Sequence, residues 1–85
     1  MFVENFILTN EWQNVASVNT GDSFLIQNCS NDIVYYIVSD VEPNVNVGGI
    51  LMPYQQLGFK KIDGDLYMKD KNSINNYVHV EKVEE

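Results

Sequence analysis

SFLIQNC, residues 23–29, sets Phe24, Ile26 and Asn28 against Leu25, Gln27 and Cys29, which is the two-residue period of a β-strand. The same period returns in YVHVEKV (77–83), where Val78 and Val80 oppose Tyr77, His79 and Glu81. DIVYYIV (32–38) is apolar on both faces, with Ile33, Tyr35 and Ile37 against Val34, Tyr36 and Val38. Alternation turns one of Tyr35 and Tyr36 outward unless something covers both faces. β-branched and aromatic residues fill these runs, as strands prefer. No window of a dozen residues offers an apolar stripe at helical spacing, and Ala16 is the only alanine, so helix propensity is poor throughout. The expected fold is all-β.

Punctuation divides the chain into short strands expected near 2–9, 12–18, 23–29, 33–39, 44–47, 50–53, 57–62, 65–69 and 77–83, some merging to leave seven or eight. Ser30-Asn31-Asp32 is read as a hairpin turn, and so is Asp63-Gly64 between FKKI and DLYMK. Regular strands without helices predict a small antiparallel β-sandwich or barrel of jelly-roll-like form, one domain over residues 1–85. VEPNVNVGGILMPYQQLGFKK (41–61) holds both prolines and three of the five glycines. It reads as a crossover between two sheets, built for shape. Pro43 stops pairing, Gly48 and Gly49 supply tight or positive-φ backbone, and ILMP returns to the core with Pro53 closing it. Gln55 and Gln56 cap a turn, and Asn44 and Asn46 fall on an exposed edge where serine should be nearly neutral.

Twelve Asp and Glu stand against five Lys, with no Arg, for a net charge of −7. Such a chain repels nucleic acid and anionic membrane and offers no bidentate phosphate clamp. No segment approaches the roughly 20 apolar residues of a membrane-spanning helix. MFVENFILTN has no basic region ahead of an apolar run, so the expectation is a protein made in a cytoplasm and left unprocessed. A domain of this size buries only about 60–65% of its unfolded surface. Cys29 is a single thiol, so no internal disulfide adds to that, and association with copies of itself or a larger body is expected to complete the burial.

Catalytic patterns are absent from the letters. His79 is the only histidine and lies mid-strand, no serine sits in a Gly-x-Ser-x-Gly elbow, and Cys29 reads as a buried structural thiol. Asp63-Gly64-Asp65 lacks the later glycine and position-twelve glutamate of a calcium loop. Neither an enzyme nor a cofactor or metal is expected. The aromatic residues Trp12, Tyr35, Tyr36, Tyr54, Tyr67 and Tyr77 suggest interface packing or a sugar-facing platform, with Trp12, Tyr36, Tyr54 and Tyr67 the candidate interface or glycan-facing set.

The order TNEWQNVAS, SFLIQNCS, DIVYYIVSD, VEPNVNVGGILMP, GDLYMKD resembles small accessory modules of tailed-bacteriophage virions over about 60 of the 85 residues. Those modules run from a tryptophan phrase through an Asn-ended strand, an apolar aromatic strand and a Gly-rich crossover to an aromatic strand. The resemblance implies a non-enzymatic capsid-decoration, head-fibre or tail component on the virion, bound to a larger virion protein and commonly trimeric. This chain lacks the long repeat or stalk of a self-standing fibre. Two alternatives stand beside it: an acidic inhibitor mimicking DNA charge, and a compact carbohydrate-binding module for host attachment. Glu81, Glu84, Glu85, Asp63 and Asp65 are the candidates for an acidic stripe.

Overall fold

The computed structural model describes residues 2–18, 23–46, 48–59, 64–71 and 76–83. It contains eight strands: β1 (Phe2–Ile7), β2 (Gln13–Val18), β3 (Ser23–Asn28), β4 (Val34–Ser39), β5 (Gly49–Leu51), β6 (Gln56–Phe59), β7 (Gly64–Asp70) and β8 (Tyr77–Val83). They form two antiparallel four-stranded sheets, in the order β1-β8-β3-β6 and β2-β7-β4-β5. The pairing follows one rule. β1 pairs β8, β2 pairs β7, β3 pairs β6 and β4 pairs β5. The chain is folded at its midpoint into a long ribbon and then rolled, so that β8 also meets β3 and β7 also meets β4. That wrapping is the jelly-roll form of the β-sandwich.

Alternation decides which side chains meet between the layers. Phe24, Ile26, Val78 and Val80 enter from the first sheet, and Val15, Val34, Leu51, Leu66 and Met68 from the second. Leu8, just past β1, joins them fully buried. Facing residues in register, such as Ile26 with Val80 and Val38 with Leu66, put apolar groups side by side on one face. In β4 the inward set is Val34, Tyr36 and Val38, so Tyr35 is the outward tyrosine. Cys29 follows the inward Asn28 and turns outward; it is half-buried rather than buried, a correction that the period itself dictates.

Rolling overturns both expected hairpins. Every connection between consecutive strands switches sheets except β4 to β5. β3 and β4 therefore lie in different layers, as do β6 and β7, and neither Ser30-Asn31-Asp32 nor Asp63-Gly64 closes a hairpin. Gly64 does hold a left-handed φ of 120°. Asp63 lies outside the described residues.

Residues 41–49 are not a crossover between sheets either, because β4 and β5 are neighbours in one sheet. The passage between layers falls on Met52–Gln55, joining β5 to β6. No strand forms over Asn44, Val45 and Asn46. Of ILMP only Leu51 reaches the core, while Ile50 and Met52 are half or more exposed. Gly48 and Gly49 are required for close approach, since Gly64 carries the left-handed glycine φ among the described residues.

Asn28 fastens the end of the sandwich. It is fully buried at the end of β3, and its Nδ2 donates to the carbonyls of Asp32 (2.6 Å), Leu51 (3.3 Å) and Met52 (3.2 Å). Its Oδ1 accepts the Ser30 N–H at 3.0 Å, and its own N–H donates to the Gln55 carbonyl at 3.0 Å. One side chain thus ties the first sheet to the chain leaving the second. Asp70 does similar work at the end of β7, its carboxylate accepting the Asn76 N–H at 3.0 and 3.2 Å.

Candidate functional site

The outer face of the second sheet gathers the features of interest. Register places Lys69 beside Tyr35, and Tyr35 beside Ile50, while Gln13 opposite Met68 brings Trp12 into line with Lys69. The row Lys69, Tyr35, Ile50 therefore crosses β7, β4 and β5, with Trp12 just ahead of β2 at its end. The Lys69 ammonium lies 5.2 Å from the Trp12 ring centre and 6.0 Å from that of Tyr35, an attractive placement over two π faces.

Residues 40–46 and Gly48 lie as a strap folded back onto this face. The Trp12 indole N–H donates to the Val45 carbonyl at 2.7 Å. Gly48 approaches so closely that a Cβ there would sit 2.8 Å from Ile37 Cγ1 and 3.0 Å from Trp12 Cη2. Between Trp12 and the strap lies an open depression of about 400 Å³, bordered by Asn10, Glu11, Glu42, Pro43, Asn44, Asn46 and Lys69.

The four aromatic candidates separate. Trp12 is half-buried and walls the depression. Tyr36 is turned into the sandwich, edge-on to Phe59 of the other sheet, with ring centres 5.6 Å apart at 70°. Tyr67 faces outward opposite Ile37 yet is only 8% exposed. Tyr54 is 61% exposed and sits in a turn with Pro53, closed by the Gln55 N–H donating to the Met52 carbonyl at 3.1 Å. Its φ of 61° is left-handed, where such a turn ordinarily carries glycine or asparagine. Gln55 Oε1 accepts the Met52 N–H at 2.8 Å, so the expected capping role is met there.

Pro43 thus borders the depression, Gly48 and Gly49 let the strap and β5 lie against Tyr36, and Pro53 sets the turn. The letters gave no sign of Lys69, Asn10 or the exposed Ile50 and Met52. Writing β7 against β4 in register would have paired Lys69 with Tyr35, but that pairing is not local in sequence. On the first sheet, His79 Nδ1 lies 2.8 Å from Asn5 Oδ1, a surface cross-strand contact. Among the described residues no three His, Cys, Asp or Glu side chains converge as a metal site would require.

Burial, then the nearby carboxylates of Asp65 and Glu42, raise the Tyr67 phenol above its ordinary 10.0. The folded chain holds that proton more tightly than the unfolded chain does. Its contribution is therefore complete below 10.0 and is lost as the pH rises through the raised value. A phenolate absorbance titration should show a component above 10.0 that Tyr67→Phe removes. A titration unchanged by that substitution would contradict the placement of Tyr67.

Compared with known proteins, the chain matches no family model, no curated protein and no solved structure.

Proposed function

We propose that the chain is a non-enzymatic accessory subunit of a tailed-phage virion, made in the host cytoplasm and docked on a larger virion protein. One observation carries this reading. Ile50, Met52 and Tyr54, at alternate positions along β5 and its turn, are 55%, 50% and 61% exposed. Three large apolar side chains exposed at alternate positions of one short segment make that segment the candidate contact surface. Tyr54 sharpens the point, because a left-handed φ costs an L-residue about 1–2 kcal/mol and Gly would remove that cost. Support at the level of fold comes from the rolled strand order, which viral capsid domains also use, an analogy and no more. The corner is also where copies of this chain would meet in a homo-oligomer, a trimer in the modules it resembles. Chains of net −7 repel one another, so such an assembly depends on apolar contact.

The DNA-mimic alternative needs its carboxylates along one stripe. Glu81 points outward from the first sheet beside Leu25, and Asp65 outward from the second beside Ser39, so these two share no face. Glu84, Glu85 and Asp63 lie outside the described residues.

Tyr54→Gly separates folding from attachment. Relief of about 1–2 kcal/mol of strain outweighs about 0.5–1 kcal/mol of added backbone freedom in the unfolded chain. The variant should melt at or slightly above the parent and bind particles at least tenfold more weakly. Equal binding by parent and variant would remove the corner from the account.

A further inference from the structure

We propose that the depression between Trp12 and the strap is a binding site for an uncharged sugar residue at the end of a glycan. A pyranose presents paired hydroxyls, each donating and accepting, around a patch of C–H groups. The depression offers matching partners. Asn10, Asn44 and Asn46 line it with carboxamides, neutral groups that donate and accept side by side. Trp12, with the Lys69 ammonium over its ring, supplies an aromatic edge. Its indole N–H is already committed to the Val45 carbonyl at 2.7 Å, so that edge is fixed before a ligand arrives. Lys69, held 5.2 Å above the Trp12 ring centre, adds a donor, and Glu42 on the strap adds an acceptor.

Charge selects within this class. The depression is bordered by one ammonium and by Glu11 and Glu42, in a chain of net −7, which disfavours nucleic acids and sulfated or acidic glycans. Size selects further. A volume of about 400 Å³ is at the small end of ligand sites, which run from about 300 to 1,000 Å³, and suits one or two rings rather than a long chain. The rival explanation is that these polar groups only keep the strap in water while Trp12 anchors it.

Trp12 is the only tryptophan, so its emission reports on the depression directly. The full chain would be titrated with glucose, galactose, mannose and N-acetylglucosamine, with heparin as the anionic control. At least one neutral sugar should give a saturable change in the millimolar range. The Asn44→Ala/Asn46→Ala variant should weaken it at least tenfold while melting as the parent does, because both side chains are exposed. No saturable change with any of the four sugars overturns the proposal. So does equal affinity in the variant, or tighter binding of heparin. Tyr54→Gly should leave the titration unchanged, which separates this site from the attachment corner; a titration that fails in Tyr54→Gly as it does in the asparagine variant would contradict an independent site.

Discussion

Replacing Gly48 and Gly49 together by valine is expected to leave no folded protein at room temperature. A Cβ on Gly49 would lie 2.3 Å from Tyr36 Cζ, and one on Gly48 would lie 2.6 Å from the Tyr36 carbonyl oxygen. Gly49 is the cross-strand partner of Tyr36, so the ring lies over the space that a side chain would fill. That ring is also held from the other sheet by Phe59, which limits its retreat. Overpacking commonly costs about 1–3 kcal/mol per site and more where neighbours cannot move. A chain of this length has a total stability of about 4–13 kcal/mol, at about 0.05–0.15 kcal/mol per residue. The two glycines also differ in a measurable way. Tyr36→Leu withdraws the outer ring atoms and should recover part of the loss in Gly49→Ala. It should recover nothing in Gly48→Ala, where the obstacles are the Tyr36 carbonyl oxygen and the Ile37 and Trp12 side chains. Circular dichroism and thermal melts decide this, and a double-valine protein melting like the parent would refute the packing described.

The second large effect falls on Asn28. Asn28→Ala removes the donor that serves the Asp32, Leu51 and Met52 carbonyls and the acceptor for the Ser30 N–H. A buried polar group left unpaired costs about 1–3 kcal/mol, and four groups lose a partner here, so a loss of at least about 4 kcal/mol is expected. For a domain of this size that lowers Tm by about 12 °C or more. Asn28→Asp should be worse near neutral pH, since a carboxylate would then face three carbonyl oxygens with no hydrogen to share. Its loss should shrink in acid as that carboxylate gains a proton. A loss below about 1 kcal/mol in Asn28→Ala would mean that the end of the sandwich is fastened elsewhere.

The part of the fold that depends on local period was legible in the letters. SFLIQNC and YVHVEKV name their own buried faces, because a strand needs only its neighbours to alternate. A small antiparallel sandwich or barrel followed from short strands without helices, but the strand order that makes it a jelly roll did not. Connections were not legible. Asp63-Gly64 has the composition of a hairpin turn, yet a turn that crosses between layers uses the same residues, and only distant pairing tells them apart. The strap shows the same limit. Its glycines signalled close backbone, but nothing local in VEPNVNVGG says that it lies over Trp12 and Ile37. The depression is assembled from Asn10, Trp12, Glu42, Asn44, Asn46 and Lys69, which come from three separated segments. Such a site is invisible until the sheet is assembled.

Mass spectrometry of purified particles from the genome that encodes this chain tests the proposed role most directly. The chain is expected in fixed, stoichiometric copy number on intact particles and is expected to be lost from particles grown with Tyr54→Gly. A chain abundant in infected cells but absent from washed particles would contradict it.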